Sequence, residues 1–216
     1  MSSLNRHQLT DFENRVPLMK ELGFGGDSLA KLKSYIEILW SSNEELNLIS
    51  RKMSFVDLID NHVIDCLLPL HRFPSSVKEA ADFGAGGGLP GVIYAIQFSH
   101  VTYHLFEKSP KKREFLERCR KFAPNLIIHG EIAKDLATID VVTARAFKPL
   151  DVILEMSQDY YRSQKGRYFL LKGRREKIDE EVQLARKKFK DLMVRVVPLT
   201  SPLLEVERNL VLISSN

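Results

Sequence analysis

Ten residues at positions 82–91, "DFGAGGGLPG", contain five glycines and one proline. They follow the short apolar approach of residues 77–81 and lead into "VIYAI". A chain that gives up so many side chains at the edge of its core does so where another group must come close to the main chain. Glycine admits positive φ and removes the Cβ that would hold such a group away. Pro90 is preset for the first turn of a following helix.

The rhythm of the chain changes at this turn. The first 70 residues read as helical. "LAKLKSYIEILW" spaces Leu29, Leu32, Ile36 and Leu39 along one face, with Asp27 or Ser28 as a cap, and "FVDLIDNHVIDCLLPL" is again amphipathic as far as Pro69. From residue 77 short apolar runs alternate with longer amphipathic ones. Residues 77–83, "VTYHLFE", "NLIIHG", "IDVVTARAF", "GRYFLLKG", "LMVRVVPL" and "RNLVLISSN" read as seven strands. Residues 89–98, "SPKKREFLERCRKFA", "PLDVILEMSQDYY" and "REKIDEEVQLARKKF" read as helices, two of them opened by Pro110 (after a Ser109 cap) and Pro149. Strands separated by such helices predict a parallel, doubly wound sheet. The connection "TSPLLEVE" is too short for a helical crossover, so the last two strands should pair antiparallel. An α/β sheet ending in an antiparallel hairpin is the usual shape of class I S-adenosylmethionine (SAM) methyltransferases, a Rossmann-like fold. The expected organisation is a helical extension, residues 1–72, packed on a core domain, residues 73–216.

The 216 residues are 44% hydrophobic, enough for one substantial core. No stretch approaches the roughly 18 apolar residues of a membrane span. The first residues, "MSSLNRHQLTDFENRV", carry no secretory core. Cys66 and Cys119 form no CxxC pair and are expected as buried thiols in a reducing compartment. A cytoplasmic protein is expected, with no obvious apolar patch calling for a dimer. The net charge of +4 is unevenly spread. Residues 1–100 hold 9 Lys/Arg against 12 Asp/Glu, whereas residues 162–190 hold 11 against 4. Such a basic stretch suits a phosphate-rich partner or a solvated helix face.

Two registers of the glycine turn point to two ligands. Gly86, Gly88 and Gly91 match the G-x-G-x-x-G string of dinucleotide sites, but the match begins four residues after Asp82. Asp82-x-Gly84-x-Gly86 begins where the strand ends, as SAM-binding turns do. Glu107 closes the next strand, where a carboxylate accepts both hydroxyls of a ribose. That residue supports a nucleoside without choosing between the two, and a purely structural turn remains a third reading. His62 and Asp65 lie three apart on one helix face, as a helix-stabilising polar pair or near a ligand. No further ligands share a metal-site spacing, so no metal is expected. Phe106, Phe115, Phe122 and Phe147 read as core. Lys111, Lys112 and Arg113 fall in a first helical turn, where cations oppose the macrodipole.

These residues also carry a family resemblance. "ADFGAGGGLPGVIYAI" resembles the SAM turn of the bacterial small-subunit rRNA guanine-N7 methyltransferases (RsmG, also called GidB), whose distinguishing part is the Leu-Pro-Gly tail. "LNLIS", "NHVIDCLL", "VVTARAFKPL", "YFLLKG" and "ERNLVLI" resemble further family segments in the same order. The chain departs from the pattern at Ser42-Asn43, at Asn61, and in "GEIAKD". The resemblance implies transfer of a methyl group from SAM to N7 of a guanine in 16S rRNA, with the 30S subunit as partner. It places Asp82, Gly84, Ala85, Gly86, Gly88 and Leu89 at the cofactor turn, Glu107 on the ribose, and Ile132 and Ala133 beside the adenine. Arg145 would lie against cofactor and target nucleotide as an orienter, and Lys172, Arg174, Arg175 and Arg208 would face RNA. The departure near Glu131 motivates a second reading, a non-catalytic SAM- and RNA-binding homologue. A third is a methyltransferase acting on another RNA or on a protein.

Overall fold

A computed structural model describes residues 4–133, 136–163 and 166–214. Lys165 of the basic stretch and the last two residues of the final predicted strand lie outside the described residues. Seven strands form one sheet: β1 (Glu79–Phe83), β2 (Thr102–Phe106), β3 (Leu126–His129), β4 (Val141–Arg145), β5 (Arg167–Lys172), β6 (Met193–Leu199) and β7 (Arg208–Ser214), in the order β3-β2-β1-β4-β5-β7-β6. The pairings among the first five strands are parallel. Strand β7 runs antiparallel to both β5 and β6, so the predicted hairpin forms with its second strand inserted into the sheet.

The central strands are buried on both faces, as expected for apolar strands covered by crossover helices. One face packs on α1 (Arg6–Glu21), α2 (Ser28–Leu46), α5 (Gly91–Gln97) and α6 (Pro110–Cys119). The other packs on α7 (Leu150–Met156), α8 (Gln158–Arg162) and α9 (Arg175–Lys188). Residues of the N-terminal helices, Met19, Leu32, Tyr35, Ile36 and Leu39 among them, share one apolar cluster with Ala80, Tyr103 and Leu105 of the sheet. Cys66 and Cys119 are buried free thiols in it.

Two helices differ from their sequence reading. The segment after Ser54 begins as α3 (Phe55–Leu58), widens to a π-helical stretch (Ile59–Ile64) and ends as α4 (Asp65–Leu67). The predicted single helix after Pro149 breaks at Ser157 into α7 and α8. There the Ser157 hydroxyl donates to the Ile153 carbonyl at 2.8 Å and also meets the Tyr168 hydroxyl. Serine back-bonding of this kind competes with the helical ladder.

Strand order reverses between β1 and β4. From β1 the chain moves outward through β2 and β3, then crosses back to β4. The loops leaving the carboxyl ends of these two strands therefore part, and a crevice opens between them.

Candidate functional site

The crevice is a cleft of about 940 Å³, walled by the glycine turn, the ends of β2 and β4, and the start of α6. The turn holds its shape from below. Asp82, 1% exposed at the end of β1, accepts from the Gly91 amide at 3.2 Å and from the Thr143 hydroxyl of β4 at 2.8 Å. Burial pushes its carboxyl up to about 7, while the Thr143 and Gly91 hydrogen bonds pull the other way. From α2, the Tyr35 hydroxyl donates to the Gly87 carbonyl at 2.6 Å.

The glycines divide by what their missing Cβ would meet. Gly84 and Gly86 have φ of +67° and +54° and line the cleft. A Cβ on Gly84 would run into the Phe147 ring, while one on Gly86 would have room. Gly88 and Gly91 do not line the cleft; their Cβ atoms would collide with Val92, and with Leu105 and Asp82. Two of the three glycines in the dinucleotide string thus serve internal packing. Gly86, the one of these with room for a Cβ, belongs to both registers, and Gly84, which lines the cleft beneath the Phe147 ring, to the earlier one alone.

Glu107 follows β2 and reaches over the turn. One carboxylate oxygen accepts from the Gly86 amide at 3.0 Å, the other from the Ser109 amide at 2.8 Å. Ser109 occupies the cap position of α6, but its hydroxyl makes no capping bond. Each Glu107 oxygen keeps a further lone pair.

Arg145 ends β4 and enters the same cleft. Its Nε donates to Asp65 Oδ2 at 2.8 Å, one terminal nitrogen to His62 Nδ1 at 3.0 Å, and the other to the Asn61 carbonyl at 2.8 Å. Arginine has no acceptor, so His62 Nδ1 accepts and the neutral ring carries its proton on Nε2. Burial, and then the charge of Arg145, pull the His62 pKa down to about 4. Asp65 is shared: its other oxygen accepts from Arg208 Nε of β7 at 2.6 Å. The π-helical stretch and the residue after it supply all three partners of Arg145, in keeping with the placing of such irregular turns at functional sites.

Of the other residues singled out from the sequence, Ala85, Leu89 and Ile132 line the cleft, whereas Asp82, Gly88 and Ala133 do not. Phe106 and Phe115 are core, as read, but Phe147 is half-buried and forms part of the cleft wall. Lys172 is turned inward; its Nζ donates to the Lys148 carbonyl at 2.7 Å and pairs with Glu181 at 2.9 Å. Arg175 pairs with Asp179 at 2.8 Å on an exposed helix face. Among the described residues the Arg174 guanidinium has no partner, while its carbonyl accepts from the Ile178 amide at 3.2 Å. The ammonium groups of Lys108 and Lys112, which line the cleft, also lack a partner among the described residues. Leu48 and Ile49 of the segment "LNLIS" form another part of the wall, a placement the sequence did not suggest. Among the described residues no group of three His, Cys, Asp or Glu side chains is spaced to hold a metal. None of their helices is long and apolar enough to cross a membrane.

A doubly wound sheet with an inserted antiparallel strand, and a glycine turn facing an acid on the neighbouring strand, define the class I methyltransferase fold. Solved structures agree on the fold. A protein described as an O-methyltransferase from Klebsiella pneumoniae superposes with a TM-score of 0.60 at 12% identity, covering 98% of this chain and all of that one. A human methyltransferase 10 domain-containing protein gives 0.52 at 11% identity, covering 82% and 94%.

The family follows from sequence. Residues 28–211 match the model for rRNA small subunit methyltransferase G (GidB), and the chain belongs to that family. It is 69% identical to ribosomal RNA small subunit methyltransferase G 1 of Bdellovibrio bacteriovorus, covering 94% of this chain and 98% of that protein. It is 33% identical to the ribosomal RNA small subunit methyltransferase G of Borreliella burgdorferi, covering 88% and 92%.

Proposed function

We propose that the protein transfers a methyl group from SAM to N7 of a guanine in 16S rRNA, acting in the cytoplasm as a single copy on the 30S subunit or its rRNA. The observation that carries this reading is the convergence of bare main chain at Gly84 and Gly86, the Glu107 carboxylate and the Arg145 guanidinium on one cleft. Family membership supports the rRNA substrate.

The residues present fit SAM. Gly86 leaves main chain open where a side chain would fill the cleft, and Gly84 lines it beneath the Phe147 ring. The free lone pairs of Glu107 suit the two ribose hydroxyls, and Ile132 offers an apolar wall for the adenine. When bound, SAM supplies an electrophilic methyl on a sulfonium. In the transfer the S–CH₃ bond breaks, sulfur keeps the electron pair, and the N7–CH₃ bond forms. N7 bears no proton, so none leaves, and the purine gains the positive charge. This balance requires no general base, consistent with a site in which His62 is held by Arg145.

The protein's task is orientation, which can contribute roughly 7–11 kcal/mol of barrier lowering. Three of the five N–H groups of Arg145 are engaged, so the guanidinium is fixed while one N–H on each terminal nitrogen stays available. We assign these to O6 of the guanine, to the SAM carboxylate or to a phosphate. O6 and N7 share one edge of the base, so a donor at O6 also helps select guanine. Residues 1–72 act in this reading as an extension that fixes both the turn, through Tyr35, and Arg145, through Asn61, His62 and Asp65. Lys108, Lys112 and Arg174 take phosphates, giving binding that weakens with salt.

The test is incubation of undermethylated 30S subunits with labelled SAM, followed by mapping of the labelled nucleotide. Label at N7 of one guanine is expected. SAM binding without transfer would favour a non-catalytic homologue, and label on another RNA or a protein would move the substrate.

A further inference from the structure

A second cleft of about 400 Å³ adjoins the first. The two share Arg145, Ala146 and Phe147 as a common wall. Ala146 sits at φ +50°, in the left-handed region that a non-glycine residue enters at a cost of about 1–2 kcal/mol. Backbone of this kind persists where the fold over-determines it, and it gathers at ligand clamps. The next residue, Phe147, has its ring against Gly84 and lines both clefts. Among the described residues no aromatic ring or cation covers either face of that ring, unlike Phe106, which stacks on His129.

Resting on the methyl-transfer reading, we propose that the second cleft receives the acceptor purine and that Phe147 is the surface on which the base stacks. Three features support this. The ring stands beside the turn assigned to SAM, so a base lying on it presents an edge to the methyl group. Arg145 reaches both clefts and can hold O6 of a base seated there. Lys148 is exposed at the rim, and its ammonium, without a partner among the described residues, is placed for the nucleotide's phosphate. The chemistry adds a fourth. Methylation at N7 makes the purine cationic, and the electron-rich face of an aromatic ring attracts a cation. The stack therefore strengthens as charge develops, so part of its effect falls on kcat rather than on KM.

The experiment compares Phe147→Leu, Phe147→Ala and Phe147→Trp with the wild type. It measures SAM affinity by calorimetry, 30S affinity in the presence of S-adenosylhomocysteine, and methyl transfer to undermethylated 30S subunits. The leucine and alanine variants are expected to lose about 5- to 150-fold in kcat/KM, the span that removal of a base–aromatic stack produces, with kcat itself lowered. Both should bind SAM within about threefold of the wild type, and tryptophan should keep activity within about threefold. Leucine fills the alanine cavity, so it reports on stacking even if Phe147→Ala fails to fold. Full activity of Phe147→Leu overturns the proposal. So does a loss of SAM affinity that matches the loss of activity, because the ring would then only cover the cofactor. A wild-type protein that binds no SAM would instead overturn the reading on which the proposal rests.

Discussion

Asp65 is the residue on which the site's geometry most depends, and Asp65→Asn probes it without changing its shape. The side chain is 8% exposed, and each carboxylate oxygen receives one guanidinium Nε, from Arg145 and from Arg208. The Arg145 and Arg208 side chains are 12% and 25% exposed, so water replaces little of the lost partnership. An amide oxygen at this position can still accept from one arginine, but its NH₂ then faces the other. Breaking a buried pair by removing one partner costs about 3–5 kcal/mol, because a charge is left uncompensated. For a chain of this size each kcal/mol corresponds to about 2–4 °C in Tm, so a fall of roughly 6–20 °C is expected. Urea unfolding followed by circular dichroism measures it directly. The further change Arg208→Met, made in the Asp65→Asn background, removes one stranded cation. It should cost much less there than in the wild type, a coupling that a double-mutant cycle resolves. If Asp65→Asn unfolds within about 1 kcal/mol of the wild type, the bridging carboxylate is not compensating two buried cations and the reasoning fails.

Other perturbations give equally direct readings. Gly86→Asp places a side chain in the cleft at φ +54°, beside Glu107, and should abolish SAM binding by calorimetry while far-UV circular dichroism stays unchanged. Glu107→Gln keeps one acceptor but loses the charge, and removal of a charge-assisted hydrogen bond of about 1.5–3 kcal/mol should weaken SAM about 10- to 150-fold. His62 is held neutral with its pKa lowered from 6.5 to about 4. The unfolded chain therefore takes up this proton at a higher pH than the folded one. Stability should fall as pH drops from about 6.5 toward 4, by at most about 3 kcal/mol, and His62→Gln should flatten that slope in denaturation curves measured at successive pH values.

The sheet was legible because its punctuation is local. Pro110 and Pro149 mark helix starts, and apolar runs of strand length lie between amphipathic segments. The glycine turn was legible as well, since five glycines in ten positions serve no ordinary core. Partnership across the fold was not. Asp65 meets Arg145 and Arg208 across separations of 80 and 143 residues, and no periodicity records such pairing. Pairing within the basic stretch was legible only in part. Arg175–Asp179 and Lys177–Glu180 pair at spacings visible in the sequence, whereas Lys172–Glu181 and Lys188–Asp151 are made by tertiary packing; of the four acids only Asp151 comes from outside residues 162–190, so most of the positive excess stays. Phe147 read as core because an aromatic residue after a strand usually is. Its place in a cleft wall depends on how the loop after β4 folds against the glycine turn, which no local pattern records.

The placement of β7 bears on the order in which the molecule can be assembled. Residues 208–214 fill a gap between two strands made earlier in the chain, and Arg208 at their start closes the ring of charge around Asp65. A nascent polypeptide whose synthesis has reached β6 can already shape the glycine turn, but β5 and β6 still lack their shared neighbour, and Asp65 holds Arg145 alone, with one carboxylate oxygen still open to Arg208. The charge cluster beneath the cleft is therefore completed late in biosynthesis, by the same strand that completes the sheet.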